Sequence, residues 1–157
     1  MRLRLIAVGT RMPAWVDAAF DDYSRRLHGT WKLELQQIAP ASRREAGGAQ
    51  ATAMAQEARR ILGLLAARDT VVPLDERGHE FSTLELARWL DQQRTEGRDL
   101  TFIIGGPDGL SPEVLARGHR AWSLSRLTLP HALVRVLLVE QLYRAATVLA
   151  GHPYHRA

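Results

Sequence analysis

Short apolar runs of strand length recur along the chain. Residues Arg2 to Val8 are apolar on both faces after Leu5, and Leu100 to Ile104 is an apolar run, as strands buried on both faces are. Trp31 to Ile38 instead mixes apolar and polar positions, which is typical of a strand with one exposed face. Five strands are predicted, at residues 2–8, 31–38, 70–74, 100–104 and 121–124.

Apolar residues at helical spacing separate these strands. Val16, Phe20 and Tyr23 fall on one helical face, and Ser82 with Glu85 has the spacing of a capping box. Helices are predicted at residues 13–27, 51–67, 82–95 and 131–150, with a short one opened by Ser111-Pro112-Glu113. Strands that alternate with helices predict an α/β fold, with a mainly parallel sheet and helices on both faces.

Two connecting segments lack a periodic apolar pattern. Asp75 to His79 is predicted to be a loop that follows the third strand. Pro40 to Gln50 is predicted to be a surface loop, and its basic residues indicate either an RNA contact or, as is commoner for a charge run, a solvated surface.

The last predicted helix, His131 to Ala150, is apolar around nearly its whole circumference. Thr128 is the expected N-cap, because its hydroxyl can accept a backbone N–H, and Pro130 suits the first turn. Gly151 supplies the stop signal. A helix of this kind is buried on most sides.

A membrane span is the first alternative for this helix, since its length is close to the requirement of a bilayer. Arg135, Glu140 and Arg144 lie inside it, and a charge at the centre of a span costs about 2.5–3.5 kcal/mol. We therefore expect no membrane association. One sheet can cover only part of such a helix, so the remaining apolar surface predicts a homodimer.

Composition adds limits to this picture. The chain has 157 residues, of which 46% are hydrophobic and 24% charged, as expected for one globular domain. It has no cysteine, which excludes disulfides, thiol catalysis and thiolate metal sites and favours the cytoplasm. A net charge of +4, with Lys32 as the one lysine among 21 basic residues, permits a phosphate-bearing partner without requiring one.

Three strand ends are candidates for chemistry, because ligands of open α/β sheets bind beyond the carboxyl ends of strands. They are Leu74-Asp75, Gly105-Gly106-Pro107 and Ser125 to Thr128. Adjacent glycines allow close backbone approach to a flat ligand, although GGPDG alone also suits a simple tight turn. The sequence lacks the GxGxxG fingerprint of a nicotinamide dehydrogenase and a Walker loop. It also lacks an HExxH pattern, so no metal is expected.

Several motifs together resemble the ribosomal RNA large subunit methyltransferase H family of SPOUT-class enzymes. They are LIAVGT, VVPLD, IIGGPDGLS, WSLSRLTLPHALVRVLLVEQLYRA and GHPYHRA. The resemblance implies a single SPOUT methyltransferase domain over residues 1–157, with its C-terminal segment threaded through a trefoil knot. It also implies a homodimer that transfers a methyl group from S-adenosyl-L-methionine to N3 of a pseudouridine in 23S rRNA of the assembled ribosome.

The resemblance assigns residues to both halves of this reaction. The implied cofactor contacts are Leu74, Gly105, Leu124, Ser125, Arg126, Leu127, Thr128 and Leu129. Near the methyl acceptor it implies catalytic roles for Tyr154, His155 and Arg144, and contacts of His131 and Arg156 with substrate RNA. A flipped base could stack on the tyrosine while the arginines hold phosphates.

Each acceptor-side residue also has a structural interpretation. Arg144 follows Glu140 by four residues, so a helix-surface ion pair is an alternative, and His131 is in place for an ordinary hydrogen bond. The tail alone is typical of a frayed terminus. His155 and Tyr154 stay open as acceptors of the N3 proton.

Two alternative functions follow from the same residues. One is a non-catalytic RNA- or ribosome-binding protein that keeps the fold, and the other is a SPOUT methyltransferase that acts on another RNA. Because the chain has no appended RNA-binding domain in its sequence, we expect both subunits to share substrate recognition, with the tail of one subunit completing the cofactor pocket of the other.

Overall fold

A five-stranded parallel sheet forms the centre of the protein in the computed structural model, which describes residues 1–42 and 50–156. The strands are β1 (Leu3–Val8), β2 (Leu33–Ile38), β3 (Thr70–Glu80), β4 (Leu100–Ile104) and β5 (Trp122–Ser123). Their order is β2-β1-β4-β3-β5, and every neighbouring pair is parallel. All five predicted strands are present, and β4 has the predicted bounds, while those of the other four differ.

Helices cover both faces of this sheet. They are α1 (Ala14–Arg26), α2 (Gln50–Gly63), α3 (Thr83–Thr95), α4 (Pro112–Arg117) and α5 (His131–Leu149), and short 3-10 turns lie at Gly29–Trp31 and Pro153–His155. Helices α1 and α3 pack against α5 on one face, while α2 and α4 pack together on the other. The predicted α/β class with helices on both faces is confirmed.

Alternation along the central strands divides the core between the two faces. Leu5 pairs in register with Phe102, and both belong to the cluster that contains Leu138 of α5. The adjacent pair, Ile6 and Ile103, points the other way into the α2 and α4 cluster. All five side chains are fully buried, and each such burial stabilises the fold by about 1.5–3 kcal/mol.

The prediction that Asp75 to His79 is a loop is wrong, because β3 continues through it to Glu80. Trp122 of β5 pairs with both Leu74 and His79, so the residues between them bulge out of the ladder. Gly78 makes this possible, since a Cβ there would lie 2.7 Å from the carbonyl carbon of Ala121. Sequence periodicity ended the strand at the first polar residue and missed its second segment.

The N-cap prediction for α5 is also wrong. Pro130 is the N-cap and makes no side-chain capping bond, while the Thr128 hydroxyl donates to Glu76 Oε2 at 2.8 Å. The capping box of α3, by contrast, forms as predicted between Ser82 and Glu85. The hydrogen bond to Glu76 therefore prevents the Thr128 hydroxyl from capping α5.

Three further expectations concern the loop, the knot and a membrane span. Most of the predicted loop from Pro40 to Gln50, including both of its arginines, lies outside the described residues. The trefoil knot stays a prediction. Among the helices of the described ranges, none combines the length and the apolar character required to cross a bilayer.

Candidate functional site

A cleft of about 340 Å³ opens at the carboxyl edge of the sheet, within the usual size range of small-molecule sites. Its walls come from the ends of β3 and β4, the segment after β5 and the first turn of α5. Of the predicted cofactor contacts, those that line it are Leu74, Gly105, Leu124, Ser125, Leu127, Thr128 and Leu129. The three strand ends singled out in the sequence therefore meet in one place.

Arg126 is the predicted cofactor contact that does not line the cleft. Its side chain is 91% exposed, and its Nε lies 3.4 Å from Glu80 Oε2. Together with Glu76 and Arg77 it borders a shallow depression beside the cleft. Its side chain thus points away from the site, and a cofactor contact there would have to use the backbone.

The floor of the cleft depends on Gly105. A Cβ at this position would lie 2.7 Å from the carbonyl carbon of Gly109, closer than side chains approach a backbone. Gly109 folds back because its φ is +80° and its N–H donates to Gly106 O at 3.0 Å. The GGPDG segment is therefore a tight turn, and this turn brings the Gly105 backbone to the surface of the cleft.

The bulge of β3 forms a charged rim, of which the sequence analysis had singled out Asp75 and missed Glu76 and Arg77. Asp75, Glu76 and Arg77 all line the cleft. The Arg77 guanidinium donates to the Asp75 carboxylate at 3.0 Å, and these hydrogen bonds lower the pKa of Asp75. Glu76 accepts from the Thr128 hydroxyl and so joins the rim to the opposite wall. The run of charged residues directly after VVPL was the signal.

At the first turn of α5, His131 lines the cleft as well. Burial lowers the pKa of its imidazole, and the charge of Arg135 lowers it further. Arg135 is itself fully buried, and its Nη2 donates to the carbonyl oxygens of Val8 at 3.0 Å and Gly9 at 2.8 Å. These bonds fix the start of α5 to the end of β1, a role that the sequence did not indicate.

The C-terminal tail forms a second cluster of predicted site residues. The Tyr154 hydroxyl donates to Glu140 Oε1 at 3.1 Å, and its ring packs edge-on against Tyr143 at 4.7 Å between centroids. Arg144 lies 5.0 Å from the centre of the Tyr154 ring and donates to Glu140 Oε1 at 2.7 Å. The ion pair expected from the spacing of Arg144 is present, but it is part of a larger network.

This network changes the chemistry of the tyrosine. Burial raises the pKa of the Tyr154 phenol, and hydrogen bonding to Tyr23 and the charge of Glu140 raise it further. Tyr154 consequently keeps its proton at neutral pH and acts as a donor to the carboxylate.

The His155 side chain contacts the backbone of its own turn. Its Nδ1 lies 2.6 Å from the carbonyl oxygen of His152, and a carbonyl can only accept, so Nδ1 carries the proton. The neutral ring therefore has its lone pair on Nε2. Arg156 follows as an exposed residue.

The two clusters do not meet within one chain. Val134 is the last residue in sequence among the described residues that line the cleft. Glu140, which the Tyr154 hydroxyl reaches, follows His131 by nine positions, and that corresponds to about 13 Å along the helix axis. Arg144 lies further still, at about 20 Å by the same rise. Tyr154, His155, Arg156 and Arg144 are thus separated from the residues that line the cleft.

Within the described ranges, no three His, Asp or Glu side chains lie close enough to hold a metal ion. The cleft is lined instead by hydroxyls, apolar side chains, the His131 imidazole, the Gly105 backbone and one charged rim. This donor set suits an organic ligand with an apolar part and a few hydrogen-bonding groups.

Comparison with known proteins identifies relatives across the whole chain. A protein-family model described as "Predicted SPOUT methyltransferase" matches residues 1–155. Proteins named ribosomal RNA large subunit methyltransferase H from Alkalilimnicola ehrlichii and Bordetella avium are 54% and 51% identical, and each alignment covers 100% of both chains. The protein of that name from Pseudomonas aeruginosa is 49% identical over 99% of this chain and 100% of its own length.

Solved structures resemble the fold at lower identity. A probable methylase family protein from Haemophilus influenzae gives a TM-score of 0.59 at 14% identity, covering 99% of this chain and 70% of that one. A probable methyltransferase from Bordetella pertussis gives 0.54 at 20% identity, covering 92% and 93%. Identities this low carry an argument about the fold only.

Proposed function

Because the chain belongs to the SPOUT methyltransferase family, we propose that it transfers a methyl group from S-adenosyl-L-methionine to N3 of a pseudouridine in 23S rRNA. The family expected from the sequence motifs is confirmed, and the chain is a methyltransferase. The large-subunit rRNA substrate is proposed because full-length relatives at about 50% identity carry that substrate in their names. The observation that carries the cofactor proposal is the convergence of three strand ends on one cleft.

The residues of the cleft fit S-adenosylmethionine. Leu74 and Leu124 offer apolar walls for the adenine ring, and Gly105 brings its backbone to the surface of the cleft. The rim of Asp75, Glu76 and Arg77 has a net negative charge, because Arg77 pairs with Asp75 and leaves Glu76, and this suits the positive charges of the sulfonium and amino groups. When bound, the cofactor supplies an electrophilic methyl group that departs from sulfur as it bonds to nitrogen.

The separation between cleft and tail supports a homodimer with sites shared between subunits. In a two-fold dimer the tail of one subunit would approach the cleft of the other, giving two equivalent sites. Unpartnered apolar surface supports the dimer too: Trp15 of α1 is 58% exposed, and Leu133, Val136 and Leu137 of α5 are half-buried and outside both core clusters of the described residues. Helices α1 and α5 pack side by side, so one partner could cover both.

We assign the acceptance of the N3 proton to His155. Its Nε2 carries the lone pair because Nδ1 faces the His152 carbonyl, whereas Tyr154 is held protonated by burial and by Glu140. Removing this proton gives the nitrogen the electron pair that attacks the methyl carbon. Arg156, which is exposed, would hold an RNA phosphate, and His131 would contact the base from the wall of the cleft.

The remaining parts of the proposal follow from this activity. Residues 1–157 would form one domain, supported by a family match that runs from 1 to 155. A ribosomal substrate would place the enzyme in the cytoplasm, and the knot would be that of its family. A SPOUT enzyme that acts on another RNA is the alternative that the substrate experiment separates.

The test is methyl transfer to defined RNA. Ribosomes from a strain that lacks the orthologous gene are incubated with the protein and S-adenosylmethionine labelled in its methyl group, and nucleosides are identified by mass spectrometry. The proposal expects one N3-methylpseudouridine in 23S rRNA and no label in 16S rRNA or tRNA. Label in another RNA would show that the proposed substrate is wrong and that the methyl transfer itself is right. The absence of heat on titration with S-adenosylmethionine would contradict the proposed cofactor.

A further inference from the structure

Tyr23, near the end of α1, contacts the C-terminal tail across the whole length of the sequence. Its phenolic oxygen lies 3.3 Å from that of Tyr154, within hydrogen-bond distance. The two residues are 131 positions apart, so this bond joins the first helix of the chain to its last turn. No motif of the tail indicates a partner on α1.

The surroundings of Tyr23 hold its ring in place. The Arg26 guanidinium lies 5.2 Å from the centre of the Tyr23 ring and 5.7 Å from that of Tyr143. The Tyr23 and Tyr143 rings are themselves 6.2 Å apart. Aromatic and cation–π contacts of this kind stabilise an arrangement by about 0.5–1.5 kcal/mol each. The Tyr23 hydroxyl is therefore presented to the tail by a packed cluster.

The tail needs such an anchor. A terminal segment with a single 3-10 turn has too few internal hydrogen bonds to be ordered by itself. Tyr154 fixes it through Glu140, Tyr143 and Arg144 of α5 and through Tyr23 of α1. The contacts on α5 hold one side of the tail, and the bond to Tyr23 adds a second helix that restricts its direction.

We propose that Tyr23 is a positioning residue, which acts through Tyr154 to hold the tail in the orientation that presents His155 and Arg156 to the substrate. The proposal rests on the proposed function, since it assumes that these tail residues serve methyl transfer. Tyr23 does not line the cleft, and its hydrogen bond to the described part of the tail is the one to Tyr154, so this bond is the direct route by which it acts on the tail.

The chain offers a matched pair of variants. Tyr23→Phe removes the hydroxyl that meets Tyr154 and keeps the ring. Tyr143→Phe removes a hydroxyl from the same cluster that makes no hydrogen bond to the described residues, so it controls for the loss of a phenol oxygen. We expect Tyr23→Phe to lower kcat by about 3- to 10-fold, which corresponds to one hydrogen bond, with an unchanged Kd for S-adenosylmethionine. Tyr143→Phe should behave as wild type.

A double-mutant cycle tests the route through Tyr154. Tyr23→Phe in a Tyr154→Phe background should cause no further loss of kcat, because the shared bond is already broken. Additive losses would overturn the proposal, since they would mean that Tyr23 acts by another path. An unchanged kcat in Tyr23→Phe would overturn it as well.

Hydrogen exchange supplies a measurement that does not depend on the substrate. The N–H groups of Tyr154 and Arg156 are bonded to His152 Nδ1 and Pro153 O. Tyr23→Phe should speed their exchange several-fold in the full-length protein, and Tyr143→Phe should not. If wild type fails to methylate 23S rRNA, the proposed function is wrong, while equal exchange in wild type and Tyr23→Phe overturns the positioning role whatever the activity.

Discussion

His131 and Tyr154 are held at opposite halves of one helix, His131 in the wall of the cleft and Tyr154 against Glu140. A rigid helix cannot bring its two halves together, so the cleft and the tail of one chain stay apart in this arrangement. The proposed dimer would place the tail of one subunit at the cleft of the other. The first prediction tests this directly.

Mixed dimers should recover activity that neither parent has. One parent carries Gly105→Val, which collides with Gly109 and distorts the turn at the floor of the cleft, and the other is truncated after His152, which removes the tail. Their heterodimer holds one intact cleft opposite one intact tail, so co-purified heterodimer should show about half of the wild-type rate if the two sites are independent. A heterodimer as inactive as both parents, beside an active wild type, would argue for sites within single chains.

Gly105→Ala should weaken the binding of S-adenosylmethionine by at least about 10-fold, since the added Cβ pushes Gly109 away and opens the turn. Gly63→Ala is the matched control, because a Cβ at Gly63 meets no atom within 4 Å and Gly63 ends α2. Isothermal titration calorimetry gives the Kd of each. Equal affinities in the two variants would show that the turn does not shape the cofactor site.

Arg135→Met should destabilise the fold by about 1–3 kcal/mol, because the buried carbonyl groups of Val8 and Gly9 lose their donor. Arg126→Met removes the same charge from a side chain that is 91% exposed, and its effect should stay within about 0.5 kcal/mol. Urea unfolding followed by circular dichroism measures both. Equal midpoints for the two variants would contradict the anchoring role of Arg135.

His131 should make the protein less stable at acid pH. Its pKa is lowered in the folded state, so the unfolded chain takes up the proton first, and stability falls as pH drops below the unfolded value of about 6.5. His131→Asn removes this contribution, and the free energy of unfolding of the variant should therefore decrease less than that of wild type between pH 7.5 and pH 5.5. A constant difference between the two proteins at both pH values would exclude a perturbed His131.

His155→Asn should lower kcat by about 10²- to 10⁴-fold, the usual contribution of a general base, with little change in the Kd for the cofactor. An asparagine amide can still donate to the His152 carbonyl, so the turn is kept while the basic nitrogen is lost. His152→Asn is the control, since it retains an acceptor for the Tyr154 N–H. Near wild-type turnover in His155→Asn would mean that another group accepts the N3 proton.

Local patterns in the sequence predicted the sheet and the position of the cleft. Apolar runs located the strands, and the glycines after Ile104 located the turn, because both signals depend on neighbouring residues. The extent of β3 was missed, since its second segment pairs with Trp122 only through the bulge at Gly78. Hydrophobic periodicity along one strand does not reveal a pairing with another strand that a bulge interrupts and that then resumes.

The acceptor side was predicted as a list of residues and not as an arrangement. Tyr154 and Arg144 were identified by resemblance, but their bonds to Glu140 depend on how the tail folds back along α5. The contact with Tyr23 depends on α1 lying beside α5, which is a property of the tertiary structure. Arg135 looked like an obstacle to membrane insertion, whereas its partners are two carbonyl groups at the end of β1.

Helix α5, which carries both clusters, also sets the distance and the angle between them. One residue inserted between Val134 and Glu140 would turn everything beyond it by about 100° and advance it by about 1.5 Å, taking Tyr154 out of phase with Tyr23 and with any partner subunit. Substitutions along this stretch leave the phase unchanged. The enzyme should therefore tolerate changes of side chain in α5 far better than changes of its length.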